Sequence, residues 1–183
     1  NAALRLKNQG IPDSAQDSEI KRTVLQSLPE EQFPLILKNS INPTALHKSL
    51  VLLSEIDRYN GQTVHKYFRL AFANALVFKI SNLRFGPEVG IGKPRSHVAV
   101  IDEWLVEVEK MCGDLRQIDP TAYPFATVKL VDSRDISTAL DGTKISAVIT
   151  SPPYPNEKDY TRTTRLESVL LGFVKDRADL RSM

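Results

Sequence analysis

Ala147-Val148-Ile149-Thr150-Ser151-Pro152-Pro153-Tyr154-Pro155-Asn156 is the stretch of sequence that decides the fold. Its apolar start follows Gly142 and ends at a proline cluster, which predicts a buried strand of a parallel sheet. Two consecutive prolines end the sheet, because neither has an N–H group to donate to a neighbouring strand. Open α/β sheets bind their ligands at the carboxyl ends of the strands. The stretch therefore predicts a rigid ligand-binding turn directly after the strand.

The residues before this stretch predict a second, parallel strand. Residues 126–131 form a first strand, a short helix ends at Leu140, and Asp141-Gly142 turns the chain into the strand that ends at Thr150. Strand, helix and strand at this spacing predict a βαβ unit. A further helix is expected at residues 163–171, with Gly172 placed to stop it. Residues 121–183 are therefore predicted to be an α/β region.

Residues 1–120 are predicted to be mostly helical. The predicted helices cover residues 17–28, 44–60, 63–83 and 98–118. The last three carry apolar side chains at helical spacing. Cys112 belongs to such a stripe, next to Met111, and we expect it to pack in the core.

Composition indicates an ordinary globular chain of one domain's length. The 183 residues are 42% hydrophobic and 25% charged, and the net charge of +2 gives no nucleic-acid signal by itself. One cysteine excludes an internal disulfide and suits a cytoplasmic location. His47, His65 and His97 lack metal-ligand spacing, so no metal site is expected. No apolar run approaches transmembrane length, and we expect no membrane partner.

The turn after the strand carries a specific resemblance. Ser151-Pro152-Pro153-Tyr154 resembles the catalytic motif of the S-adenosylmethionine-dependent DNA methyltransferases that modify exocyclic amino groups. The flanking residues 155–162 and 166–173 resemble a bacterial subgroup of these enzymes, which act in restriction-modification systems. The resemblance implies a partial Rossmann-like methyltransferase sheet after the helical region, with S-adenosylmethionine as cofactor and DNA as substrate.

The resemblance also implies a role for each residue of the motif. The Ser151 hydroxyl and the Pro152 carbonyl accept hydrogen bonds from the target amino group, and Pro153 helps to hold that carbonyl in place. Tyr154 stacks on a base flipped out of the duplex. Serine in the first position leans toward cytosine N4, while adenine N6 stays open. Methylation of a ring carbon would need a thiolate instead, for which Cys112 is the one candidate.

Residues around the motif have two interpretations each. Asp132 follows the first strand and either binds the cofactor, as the resemblance implies, or caps the next helix. Lys158, Arg162 and Arg165 either contact phosphates or form a solvated helix face. Tyr160 either lines the base pocket or packs.

One part of the family pattern is missing from the sequence. Members carry a glycine-rich turn between strand and helix that holds the cofactor, whereas Gly90 and Gly92 follow a predicted helix. Residues 86–93 have the wrong spacing for a phosphate loop and are expected to form a flexible, DNA-facing loop.

The chain also begins with Asn1 rather than methionine. We therefore expect a fragment, inactive in isolation and weak in binding S-adenosylmethionine, whose partner is the remainder of a longer polypeptide carrying the cofactor motif. A restriction partner is left open. The alternative is a non-catalytic DNA-binding or assembly module that retains a methyltransferase-like fold.

Overall fold

The computed structural model describes residues 25–119, 126–151 and 160–182. These residues divide into two compact units, the first within Asn1–Leu115 and Asp159–Met183 and the second within Arg116–Lys158. In chain order, the helices of the described residues are α1 (Pro43–Asp57), α2 (Thr63–Ala75), α3 (Val100–Gln117), α4 (Ile136–Leu140), α5 (Tyr160–Leu170) and α6 (Arg177–Ser182), with a π-helix at Leu76–Ile80, 3₁₀ helices at Phe33–Leu35 and Ser133–Asp135, and strands β1 (Leu83–Arg84) and β2 (Gly90–Ile91).

Helix α1 confirms the helix predicted at residues 44–60, and local sequence explains where it starts. The Asn42 side chain accepts a hydrogen bond from the Thr44 N–H at 2.9 Å and caps the helix. Pro43 occupies the first turn, where its missing N–H costs nothing. The chain turns back after the helix through Gly61, whose φ of +84° is a conformation that suits glycine.

Helix α2 and the π-helix together replace the single helix predicted at residues 63–83. The α-helical part ends at Ala75, and five residues continue as a π-helix to Ile80. Phe68, Phe72 and Leu76 from the predicted stripe are buried, while Tyr67 is exposed. The wider π-helical turn and the Ser81 hydroxyl, which accepts from the Leu83 N–H, end the helix.

Asn82 fastens the hairpin that follows to the helical core. Its backbone N–H donates to the Ser40 carbonyl at 2.7 Å, and its carbonyl accepts from Gly92 at 2.7 Å. Its side-chain amide donates to the Asn39 carbonyl at 3.0 Å and accepts from the Arg95 N–H at 3.1 Å. Asn82 is only 4% exposed, so these bonds are sheltered from water. Strands β1 and β2 pair antiparallel directly beyond it.

Helix α3 confirms the helix predicted at residues 98–118, and Trp104 anchors it. The indole is fully buried and donates to the Phe68 carbonyl at 3.1 Å. The Trp104 and Phe68 rings meet edge to face at 5.3 Å, a favourable aromatic geometry. The predicted core role of Cys112 is wrong, because its side chain is exposed, although the neighbouring Met111 packs against the core.

Helix α5 confirms the helix predicted at residues 163–171, but it packs in the helical unit. Leu166, Val169 and Leu170 are buried in the core that α1, α2 and α3 share. Gly172, with φ +77°, ends the helix as predicted. Its N–H donates to the Val169 carbonyl, and the Phe173 N–H donates to the Ser168 carbonyl. These two hydrogen bonds form a Schellman motif.

The second unit confirms the short helix and its turn but contains no strand among its described residues. Helix α4 ends at Leu140, and Asp141 and Gly142 turn the chain with φ of +45° and +73°. Residues 126–131 and 143–150, predicted as strands, pair with no other described segment. A strand needs a neighbour for its hydrogen bonds, so apolar sequence alone does not produce one. Of the helix predicted at residues 17–28, residues 17–24 lie outside the described chain and 25–28 are not helical.

The Asn82→Ala substitution tests the attachment of the hairpin. It removes both side-chain hydrogen bonds, and we expect the free energy of unfolding to fall by about 2 kcal/mol, at about 1 kcal/mol for each bond. Urea denaturation followed by circular dichroism measures the change. Asn60→Ala, at an exposed asparagine in a turn, is the control and should cost less than about 0.5 kcal/mol. Equal losses in the two variants would contradict the role of Asn82.

Candidate functional site

Of the four residues in the predicted catalytic motif, the structure describes Ser151. It is exposed and ends a segment that leaves helix α4 through the left-handed turn at Asp141 and Gly142. The Thr143 N–H donates to the Leu140 carbonyl at 2.8 Å and fixes the start of this segment. Pro152, Pro153 and Tyr154, and Lys158 beyond them, lie outside the described residues. Their predicted roles stay predictions.

Four apolar side chains of the segments predicted as strands are almost fully exposed, while Val131 and Ile145 are about half exposed. The exposed fractions are 97% for Val128, 103% for Leu130, 77% for Val148 and 100% for Ile149. Covering one such side chain stabilises a protein by roughly 1.5–3 kcal/mol. The second unit therefore presents apolar segments on both sides of α4 that would gain from a packing partner.

Asp132 is engaged as a local cap. Its carboxylate accepts from the Arg134 backbone N–H at 2.9 Å and from the Arg134 guanidinium, whose Nε lies 3.0 Å away. These bonds hold the pKa of Asp132 below its ordinary value, with the guanidinium as the larger cause. Asp132 therefore caps the turn that follows it, which is one of its two predicted roles. The predicted contact between Asp132 and a cofactor stays a prediction.

Helix α5 carries the other predicted nucleic-acid residues. Tyr160 begins the helix, but its side chain lies outside the described part of the chain. Arg162 is exposed, and the half-buried Arg165 donates from Nη2 to the Thr161 hydroxyl at 3.1 Å. Both arginines belong to the first unit, whereas Asp132 and Ser151 belong to the second.

An arginine from α2 fixes the end of α5. Arg69 donates from one nitrogen to the Leu171 carbonyl, past the last turn of α5, and from the other to Asp57 Oδ1 at 2.8 Å. His65 Nε2 lies 3.0 Å from the same carboxylate oxygen. A cation at a helix C-terminus satisfies free carbonyls and complements the helix dipole. This contact positions the helix that displays Arg162. Sequence periodicity could not reveal it, because it joins residues about a hundred positions apart.

The glycines of residues 86–93 build a hairpin and no cofactor cradle. Gly90 lies in β2, and a side chain at Gly92 would come within 3.3 Å of the Asn82 carbonyl. Glycine at position 92 therefore suits the close approach of two backbone segments. No helix starts behind these glycines until Val100, so they also form no phosphate loop. These glycines thus do not fit the turn that holds the methionine part of S-adenosylmethionine.

A cavity of about 610 Å³ lies elsewhere in the first unit. Apolar side chains that include Phe33, Ile36 and Leu46 line it, together with the buried Ser40, whose hydroxyl has no hydrogen-bond partner among the described residues. It contains none of the site residues that the sequence predicts.

Comparisons with known proteins add no relative. The chain matches no family model, no curated protein and no solved structure. Within residues 25–119, 126–151 and 160–182, no group of three or more histidine, cysteine, aspartate and glutamate side chains converges on a common point. In the same residues no helix has both the length and the apolar character needed to cross a bilayer.

Glu167 on α5 gives a pH-dependent test of this part of the site. The side chain is half-buried, and its Oε2 finds no hydrogen-bond partner among the described residues. Burial raises the pKa of Glu167 above its ordinary 4.5. A raised pKa means that folding favours the protonated form. The contribution of Glu167 to the free energy of unfolding is therefore most favourable at low pH, and it is lost as the pH rises through the pKa of Glu167 in the folded state.

The Glu167→Gln variant should lose this pH dependence. We expect it to match the parent chain below pH 4.5 and to exceed its free energy of unfolding at pH 7, because glutamine carries no charge that burial would penalise. Urea denaturation at a series of pH values measures the difference. Glu31→Gln, at an exposed glutamate, is the matched control. A constant difference between Glu167→Gln and the parent from pH 4 to pH 7 would contradict the assignment.

Proposed function

We propose that this chain is the catalytic-motif region of a DNA methyltransferase that transfers a methyl group from S-adenosylmethionine to an exocyclic amino group of DNA. The target is N4 of cytosine or N6 of adenine, in a base flipped out of the duplex. The observation that carries the proposal is Ser151-Pro152-Pro153-Tyr154, directly after an apolar segment.

The motif suits the acceptor side of this reaction. The amino nitrogen of a nucleobase is a weak nucleophile, because its lone pair is delocalised into the ring. Two acceptors directed at its hydrogens favour a tetrahedral nitrogen and localise that lone pair for attack. The Ser151 hydroxyl and the Pro152 carbonyl are such acceptors, and the prolines hold the carbonyl without further ordering cost. Tyr154 offers an aromatic face to the flipped base.

The state of the second unit supports a partial α/β fold that needs neighbours. Val128, Leu130, Val148 and Ile149 all expose at least three quarters of their surface. Adjacent strands of a sheet would cover these side chains and supply the missing ladder bonds. We propose that the remainder of a longer polypeptide supplies both these strands and the glycine-rich turn. The glycines of the hairpin form no such turn, so the chemistry derived from the described residues stops at the amino group.

One observation favours the alternative function, a non-catalytic DNA-binding or assembly module. The Asp132 carboxylate accepts hydrogen bonds from the backbone and the guanidinium of Arg134 in a local cap, so it has a structural role without a cofactor. In that case the chain keeps a methyltransferase-like sequence while methyl transfer occurs elsewhere. Substitution of the motif separates the two functions.

The Ser151→Ala and Tyr154→Ala variants test the enzyme. We expect Ser151→Ala to lower the rate of methyl transfer by roughly 10²-fold, the usual effect of removing one group that is directed at the reacting centre. Tyr154→Ala should lower it by roughly tenfold or more through lost stacking. The measurement is incorporation of radiolabelled methyl groups into DNA by the full-length polypeptide that contains this chain.

Matched controls for this experiment lie outside the motif. Ser146→Ala removes an exposed hydroxyl five residues earlier, and Tyr67→Ala removes an exposed ring on α2. Both should retain the parent rate. Full methyl transfer by both motif variants would place the activity elsewhere and leave the binding or assembly module.

The Cys112→Ala variant distinguishes amino-group from ring-carbon methylation. Ring-carbon methylation needs a thiolate nucleophile. Cys112 supplies the single thiol of the chain and is exposed on α3. Because the proposed mechanism uses no thiol, we expect unchanged methyl transfer, with the product identified by nucleoside mass spectrometry. Loss of activity together with a 5-methylcytosine product in the parent protein would contradict the proposal.

A further inference from the structure

The π-helix at Leu76–Ile80 and the hairpin that follows it carry an exposed group of aromatic and basic side chains, here called the hairpin patch. Its members are Phe78, Lys79, Arg84, Phe85, Lys93 and Arg95, and all six are exposed. Lys93 ends the stretch 86–93 that the sequence predicts to face DNA, and the other five were not singled out from the sequence, because their aromatic and basic side chains follow no helical or strand period.

The two aromatic rings of the hairpin patch stand together in solvent. The Phe78 and Phe85 rings lie 5.5 Å apart with an interplanar angle of 44°. Phe78 is 60% exposed and Phe85 is 41% exposed, although the core of the same unit lies close beneath Phe78, at Val77 and Ile80. A paired aromatic surface left open to water is a feature of binding sites.

The charge of the hairpin patch is one-sided. Between residues 78 and 96 the chain carries four basic side chains and one acidic side chain, Glu88, whereas the whole chain carries 24 basic and 22 acidic ones. The nearly neutral total therefore conceals a local excess of positive charge. Basic side chains that flank aromatic rings fit a phosphate backbone with bases beside it.

The frame under the hairpin patch is fixed. Asn82 bonds the hairpin to residues 39 and 40, and the Arg95 guanidinium donates to the Lys79 carbonyl. Gly92 permits close packing of the backbone against Asn82 and lies beside Arg84. The backbone that carries these side chains, and the Phe78–Phe85 ring pair, are thus in place before any ligand binds, which lowers the entropic cost of binding.

We propose that the hairpin patch binds a DNA strand at unpaired bases, with Lys79, Arg84 and Lys93 against phosphates and the Phe78–Phe85 pair stacked on a base. The choice of DNA rather than RNA as the ligand rests on the proposed function. The surface itself rests on exposure and charge alone. Duplex opening around a flipped base would present such a strand.

Charge removal at the hairpin patch tests the phosphate contacts. The triple variant Lys79→Gln, Arg84→Gln, Lys93→Gln should weaken binding of the 183-residue chain to a fluorescein-labelled single-stranded DNA by at least tenfold. Each lost phosphate contact should also flatten the plot of log affinity against log salt by about 0.7, hence by about 2 for three contacts. Fluorescence anisotropy at several salt concentrations measures both quantities.

A second triple variant controls for net charge. Arg58→Gln, Lys66→Gln, Lys110→Gln removes three exposed cations outside the hairpin patch. It should change affinity by less than threefold. An equal loss of DNA affinity in the two triple variants would show that the net positive charge of the chain attracts DNA without a specific site, and it would overturn the proposal.

Removal of the rings tests the stacking contact. Phe78→Ala, Phe85→Ala should weaken binding to single-stranded DNA and to a duplex with a central mismatch by roughly tenfold or more, and binding to a matched duplex by less. Because both rings are exposed, the variant is expected to keep the parent circular dichroism spectrum. An unchanged preference for unpaired DNA overturns the proposal. So does a loss confined to RNA of the same sequence, or a loss of self-association with DNA binding intact.

The hairpin patch and the proposed function can be contradicted separately. Ser151→Ala should lower methyl transfer by roughly 10²-fold, and it leaves the cations and rings of the hairpin patch, which belong to the first unit, in place. If the patch variants lose DNA binding but Ser151→Ala retains methyl transfer, the motif assignment is wrong and the hairpin patch stands. If the patch variants retain binding while Ser151→Ala loses methyl transfer, the hairpin patch is wrong and the enzyme stands.

Discussion

The burial of Trp104 against Phe68 is the interaction on which the helical unit depends. The Trp104 indole is fully buried, its N–H is satisfied by the Phe68 carbonyl, and Phe68 in turn meets Tyr59 edge to face at 5.6 Å. An aromatic side chain of this size buries 150–250 Å², more than any aliphatic one. The contact therefore fixes α3 on α2, and the remaining apolar faces, including that of α5, close around this pair.

The same core determines what the unit can display. The π-helix at Leu76–Ile80 directs Ile80 inward while Phe78 and Lys79 remain exposed, and Asn82 then ties the hairpin to the loop before α1. Arg69 holds the end of α5 through the Leu171 carbonyl. The hairpin patch and the exposed Arg162 of α5 thus belong to the same compact unit. A DNA-binding role needs such a frame, because flexible side chains on a flexible backbone lose binding energy to ordering.

The second unit follows a different constraint. Its described apolar segments expose side chains such as Leu130 and Ile149 almost completely, so their own unit gives them no core. Local interactions still act there: Asp132 caps its turn, and the positive φ angles at Asp141 and Gly142 end α4. Turn chemistry forms without tertiary support, whereas strands require a partner. This difference explains why the loops match the prediction while the sheet stays a prediction.

The sequence by itself determined the helices at residues 44–60 and 98–118, the helix after the motif, and the turns at Asp141-Gly142 and Gly172. Apolar spacing, caps and glycine conformations are local, so they can be read without knowing what packs where. Of the candidate site, the sequence determined the motif at Ser151 and the two interpretations of Asp132. Only the tertiary structure decided that α5 joins the helical core, that Cys112 lies outside it, and that Phe78, Phe85 and the neighbouring cations meet at one hairpin. Those outcomes depend on contacts between distant residues, which no local pattern encodes.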